Sequence, residues 1–229
     1  MSIQSSIPLY PAVYAMRRRL REAGARGALD HFGRRLRAQL YERERHHVVV
    51  KELREIVVPL RHGAVRLEPL ERRHLPALQV LNRERHDLTG DERFAGDLGS
   101  GYAGFVARKG EELIGFYWWT DASMPRHREL SAVALGVELG AGDVYGTDFY
   151  VAERHRAGGT ANDFLYQLET ALRERGFERL WGTVDVENRS ARWTYTARGY
   201  QERWAVVGTR VLRRWRYRIA PINAERAGG

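Results

Sequence analysis

A mixed sheet with helices on its faces, an α/β (α+β) layer architecture, is predicted by three observations. From Ala64 onward the 229-residue chain reads as strand, two helices, three strands, helix, strand, helix and two strands. Helical spacings of three and four alternate with short strand-forming runs, and no segment repeats another. The composition, 43% hydrophobic and 29% charged, is that of a folded chain with one substantial core rather than a disordered one.

The elements follow in order. Residues 1–62 read as a basic helical extension: apolar residues recur at Val13, Met16 and Leu20, then at Leu29, Phe32, Leu36 and Leu40, two helices joined near Gly24 and Gly27. HHVVVKELREIVV is a strand or an extended connector ending at Pro59. Residues 63–221 form the main domain and 222–229 a tail. AVRLEPL alternates as a strand, ERRHLPALQVLN is a helix with Leu75, Leu78 and Leu81 on one face, and DERFAGDLGSG is a short helix ending in glycines. YAGFVARKGEELIGFYWWTD is a hairpin turning at Lys109-Gly110. Residues 122–142 are ambiguous and read as a loop, with room for a short strand or helix.

DVYGTDFYV is the next strand, and GGTANDFLYQLETALRERG a helix with Ala161, Phe164, Leu165, Leu168 and Leu172 on its core face and Gly176 as its C-terminal cap. The strand FERLWGTVDV, the helix NRSARWTYTARG and the strands YQERWAVVG and RVLRRWRYRI complete the chain. Trp118 and Trp119, adjacent on a strand, point to opposite faces and are expected to pack in the core.

Composition excludes several chemistries. With no cysteine, disulfides, thiolate zinc sites, iron–sulfur clusters and thiol nucleophiles are ruled out. The eight histidines form no HxxxH pair, and no metal site is expected. No run of about 18 apolar residues spans a bilayer, and the N-terminus lacks a secretory pattern, so the expected location is cytoplasmic. The net charge of +9 asks for an anionic partner.

Two stretches carry chemistry. Arg156-Ala157-Gly158-Gly159-Thr160-Ala161, of form RxxGxA, joins a strand to a long helix. A helix start offers unpaired N–H groups and a positive dipole end, so the loop suits a pyrophosphate, although a plain Gly-rich turn is equally consistent with these residues alone. The second stretch begins at Asn188 and continues through Ala191, Tyr195, Gly199 and Tyr200, at NxxAxxxYxxxG[FY] spacing. Asn188 is a good N-cap, and Ala191 and Tyr195 share a helix face.

Together these motifs, and the order of elements over about residues 64–220, resemble the GNAT acyltransferase superfamily. The resemblance implies a mixed, mostly antiparallel central sheet, acetyl-CoA or another acyl-CoA as co-substrate, and an amine acceptor. It implies phosphate donors in the backbone amides of Arg156, Gly158, Gly159, Thr160 and Ala161 around Ala157, pantetheine contacts at Val151 and Ala152, a CoA contact at Asn188, and Tyr195 as the group protonating the departing thiolate. Asp148 is the first candidate for the base that takes the amine's proton, with Glu138 and Glu187 behind it. Where some relatives carry a glutamate this chain has Tyr145, expected to line the acceptor pocket, and residues 83–93 take the place of the acceptor loop. Without a cysteine, direct transfer is expected rather than an acyl-enzyme.

The extension lies outside the resemblance. Between Arg17 and Arg45 ten arginines face four acids, a balance of +6. Residues 12–45 are read as a helical pair docked on the domain or on a second subunit of a homodimer, as a basic hairpin on anionic membrane at the inner face, or, with least support, as a nucleic-acid binder. The membrane reading would suit acylation of a lipid-linked or envelope-polysaccharide precursor. A non-catalytic module of the same fold, binding membrane or nucleic acid through its arginines, is the competing function.

Overall fold

The computed structural model describes residues 41–60, 62–85, 90–100, 102–123, 135–211 and 214–222. Two compact units are distinguished: Met1–Glu44 with Gly208–Arg216, and Arg45–Val207 with Tyr217–Gly229. The helices expected between residues 12 and 40 lie outside the described residues. Of the first unit, the described segments 41–44, 208–211 and 214–216 are strand. The second unit carries the candidate site.

The elements are β1 (Tyr41–Glu52), β2 (Arg66–Pro69), α1 (Leu75–Glu84), α2 (Gly90–Gly99), β3 (Ala103–Lys109), β4 (Glu112–Asp121), β5 (Asp143–Val151), α3 (Thr160–Glu174), β6 (Arg179–Asp185), α4 (Arg189–Ala197), β7 (Gln201–Val211) and β8 (Arg214–Ala220). One eight-stranded sheet has the order β2-β3-β4-β5-β6-β1-β7-β8. The pairs β2–β3, β3–β4, β4–β5 and β1–β6 are antiparallel, and β5–β6 is parallel. The mixed, mostly antiparallel sheet flanked by helices is therefore as the sequence predicts.

One boundary moves. The sequence reading places residues 1–62 in the extension, but β1 pairs along β6 from His46↔Asp185 to Glu52↔Arg179, and Arg45–Val207 belongs to the unit holding the site. Val48, Val49 and Val50 are all buried, the continuous apolar run of a strand covered on both faces. HHVVVKE is thus an inner strand of the sheet rather than a connector to it.

On one face α3 and α4 pack. Phe164, Leu165, Leu168 and Leu172 of α3 are fully buried against Val49, Ile114, Val144 and Leu180. The helix ends where Phe177 N–H donates to Leu172 C=O (3.2 Å) and Gly176 N–H to Arg173 C=O (2.9 Å), the doubled bonds of a Schellman cap. The Asp163 carboxylate in its first turn accepts the N–H groups of Gly63, Ala64 and Val65 (3.1, 2.9 and 2.9 Å), fixing the approach to β2. On the other face α1 and α2 cover Val106, Phe116, Trp118 and Tyr150, while Leu135 and Val137 of the preceding loop cover Val48, Val50 and Trp181. Trp118 and Trp119 fall in the cores of opposite faces, as expected.

Candidate active site

The site begins where β5 and β6 stop pairing. Their ladder holds Asp143↔Arg179, Val144↔Leu180 and Tyr145↔Trp181 and then ends. It is pinned by the Asp143 carboxylate, which accepts Arg179 Nε at 2.6 Å and Nη2 at 3.0 Å. Beyond it the register of β4 on β5 passes from Trp119↔Gly146 to Trp118↔Asp148, leaving Thr147 as the extra residue of a bulge. A bulge bends the strand that carries it. β5 consequently leaves β6, which continues along β1 as far as Asp185.

The wedge between them is a cleft of about 190 Å³ lined by Tyr117, Gly146–Phe149 of β5, Gly182–Asp185 of β6, and Asn188, Ala191 and Tyr195 of α4 and its cap. Whole-ligand pockets run to roughly 300–1,000 Å³, so the cleft accommodates part of an extended ligand and leaves the rest at the surface. Ladder alternation decides which backbone groups face it. Ala152 N–H donates to Ile114 C=O at 2.8 Å, so the main chain of Val151 and Phe149 turns away from β4 toward the wedge.

This corrects one expected pair. Val151 presents its N–H on the wedge side, but Ala152 has its N–H on Ile114 and its C=O accepting from His155 N–H at 2.8 Å. By the same alternation the main chain of Phe149 faces the wedge.

A short 3₁₀ turn, Glu153–His155, leads to the glycine loop. Gly158 (φ 71°) and Gly159 (φ 86°) adopt left-handed backbone that side chains disfavour, and a Cβ on either would meet nothing within 4 Å. Open space therefore lies over the loop. Gly159 is the N-cap of α3, without a side-chain cap, and the first intrahelical bond is Asp163 N–H to Gly159 C=O at 2.9 Å. The amides of Gly159, Thr160, Ala161 and Asn162 accordingly have no acceptor in their own helix, which suits an anion.

Arg156 departs from its expected role. Its amide donates to Glu153 C=O (3.2 Å), its Nε to Val151 C=O (2.9 Å), and its guanidinium lies 5.4 Å from the Tyr150 ring centre. It braces the strand end that precedes the loop. Thr160 Oγ1 donates to Ala157 C=O at 3.1 Å, which tightens the turn.

On the far wall Asn188 caps α4, its Oδ1 accepting Ala191 N–H at 3.0 Å, and its own N–H donates to Asp185 C=O at 3.1 Å. Tyr195, two turns on, is half-buried; its ring meets Tyr200 edge-on at 4.7 Å. Behind them Arg198, at the end of α4, donates two hydrogen bonds to Glu169 of α3, and both side chains are buried. Burial raises the Tyr195 phenol above its ordinary value, with the nearby Glu169 charge adding to it, so it is a proton carrier at neutral pH.

Asp148 lies in the cleft but is held from outside it. Arg85 donates Nη1 at 2.8 Å and Nη2 at 3.1 Å to its two oxygens. Arg85 in turn donates Nε to Asn82 Oδ1 at 2.9 Å and lies against the rings of Phe116 and Tyr150 (5.4 and 5.7 Å). Sequence reasoning missed Arg85 as an individual, although it falls in the run 83–93 assigned to the acceptor loop; residues 86–89 of that run lie outside the described residues. The fallback bases do not reach the cleft: Glu138 is exposed on the loop before β5 and Glu187 exposed on the turn after β6, neither among the lining residues.

Tyr145 is also corrected. It is buried with Val48, Val50 and Trp181 rather than facing an acceptor, and burial pushes its phenol up to about 12. Being the last β5 residue paired to β6, it lies before the wedge opens.

Comparison with known proteins bears on the fold and the family. The sequence profile of the Acetyltransferase (GNAT) family matches residues 67–200. No curated protein sequence matches the chain. Among solved structures, a GCN5-related N-acetyltransferase from Sphaerobacter thermophilus is similar over 84% of this chain and 58% of its own, at 16% identity and a TM-score of 0.54. A glucosamine N-acetyltransferase region in a fungal multi-domain β-N-acetylglucosaminidase is similar over 80% of this chain and 22% of its own (18% identity, TM-score 0.54). A functionally unknown conserved protein from Staphylococcus epidermidis is similar over 76% and 63% (11% identity, TM-score 0.54). The chain spans less than two thirds of the length of each of these.

Proposed function

The chain belongs to the GNAT acetyltransferase family, and from that premise we propose that it is a CoA-dependent N-acyltransferase passing an acyl group, most simply acetyl, directly to an amine. One observation carries the reading: a wedge between β5 and β6 has the half-buried Tyr195 phenol on its wall and, beyond the end of β5, a helix start with open amides above it. The amides of Gly159, Thr160 and Ala161 suit the pyrophosphate, Val151 and Phe149 the pantetheine arm, and Asn188 the edge of the cleft.

Transfer forms a C–N bond and breaks the C–S bond, with the electron pair left on sulfur. Tyr195 gives its proton to that sulfur, and Asp148 receives the proton lost by the amine. Arg85 grips both oxygens of the Asp148 carboxylate and so fixes its orientation in the cleft. With no cysteine in the chain, there is no thiol to hold the acyl group between donor and acceptor.

Acetyl-CoA at 100 times its dissociation constant should stabilise the fold by about 2.7 kcal/mol, read as a rise in melting temperature. No shift with acetyl-CoA or a longer acyl-CoA would return the protein to the non-catalytic module. Glucosamine is a reasonable first amine to assay, since the fungal region of similar fold is named for it.

The +6 segment between Arg17 and Arg45 supports a peripheral place on anionic membrane at the cytoplasmic face, with a membrane-linked or envelope-polysaccharide precursor as acceptor. Flotation with anionic but not neutral vesicles, lost at high salt, is the expected result. Failure to float with either refutes the membrane part alone.

A further inference from the structure

Tyr117 stands on β4 opposite Phe149, yet its side chain reaches along β5 to Gly146, the residue at which β5 leaves β6. A Cβ on Gly146 would sit 1.8 Å from the Tyr117 hydroxyl, so the absence of a side chain there is what lets this oxygen in. The ring is buried and leans on Phe149 (5.8 Å between centres), which in turn meets Phe164 of α3 edge-on at 5.2 Å. The hydroxyl is therefore held at the branch point of the sheet. Tyr117 and Tyr195 line the same cleft, one carried by β4 and the other by α4.

Packing does not account for the oxygen. A phenylalanine would fill the same space without taking a hydroxyl out of water, and Gly146 would be free to carry a side chain. Burial raises the Tyr117 phenol well above its ordinary value, and the neighbouring Tyr195 raises it further, so it stays a donor throughout the neutral range.

On the acyltransferase reading, we infer that Tyr117 is a second phenolic hydrogen-bond donor to the sulfur of bound acyl-CoA, sharing with Tyr195 the negative charge that develops as the C–S bond breaks. The division of labour follows from the balance of the step. Only one proton is needed on sulfur, and Tyr195 supplies it. Tyr117 keeps its proton and stabilises the charge in place, as a fixed donor does for a developing anion.

Coenzyme A alone tests this, without an acceptor. The thiol of CoA bound to the full-length protein is titrated by the ultraviolet absorbance of its thiolate in wild type, Tyr117→Phe, Tyr195→Phe and the double variant. Each lost donor should raise the bound thiol's pKa by about one unit, the size of one hydrogen bond to a charged group, and the double variant by about the sum. Melting temperatures of the free proteins check that the fold is kept. Gly146→Ala, which displaces the hydroxyl without removing it, should raise the thiol pKa as Tyr117→Phe does. A Tyr117→Phe protein that binds CoA and titrates like wild type while Tyr195→Phe shifts overturns the inference and leaves the acyltransferase reading standing. Wild type that binds no CoA overturns both.

Discussion

Glu169→Gln and Arg198→Met each break an ion pair lying behind the proposed proton donor. Glu169 is 0% and Arg198 2% exposed, and the guanidinium spans both carboxylate oxygens. Removing one partner of such a pair leaves the other buried and uncompensated, at a cost of roughly 3–5 kcal/mol. Burial already pushes the Glu169 carboxyl up, and that of Lys51, the neighbouring cation, pushes the ammonium down. For a domain of this size each kcal/mol moves the melting temperature by about 2–4 °C, so each single variant should melt roughly 6–20 °C below wild type. Thermal unfolding followed by circular dichroism measures this. A Glu169→Met/Arg198→Met double variant should recover part of the loss, because neither member of the pair is left without the other. Single variants within about 2 °C of wild type, or a double variant worse than the sum of the singles, would refute the reasoning.

Other outcomes follow from single residues. Gly159→Val, at a left-handed position with open space above it, should abolish stabilisation by acetyl-CoA while costing the free fold on the order of 1–3 kcal/mol, and an unchanged ligand-induced shift would exclude the loop as the phosphate site. Tyr195→Phe should lower kcat by about 10²-fold or more with acyl-CoA affinity unchanged; a loss below threefold would leave the phenol without a proton role. Asp148→Asn should lower kcat similarly and leave CoA binding intact, whereas Arg85→Met should raise KM for the amine and not for acyl-CoA in steady-state assays. The Glu202 carboxyl is held below its ordinary value: burial would raise it, but the hydrogen bonds from His47 and Arg192 and their charges outweigh that. Its stabilisation is thus present above the ordinary carboxylate value of 4.5 and lost as pH falls through its lower folded value, so Glu202→Gln should flatten the acid limb of a stability–pH curve.

Much of the domain is legible from local pattern. The core face of α3, the cap at Asn188, the hairpin at Lys109-Gly110 and the opposite fates of Trp118 and Trp119 are set by spacing within one element. So is the glycine loop, since Gly158 and Gly159 can adopt a backbone that few other residues tolerate. The early strand was harder. Val48–Val50 reads as apolar with no face preferred, and only its pairing with β6, more than 100 residues away, makes it an inner strand.

The assignments that moved are all non-local. Arg156 keeps its place in the motif, but its groups turn to Glu153 and Val151; Ala152 loses its N–H to Ile114 through ladder alternation; Tyr145 falls one residue short of the wedge. By itself the sequence determined the elements, the two motifs and the family-like order that joins them, because periodicity, caps and glycine conformation act over a few residues. Only the tertiary structure decided that a bulge at Thr147 opens β5 from β6, that Arg85 grips Asp148 across 63 positions, and that Gly146 admits the hydroxyl of Tyr117. Those depend on strand register and on which side chains meet across the sheet, and no local spacing encodes them.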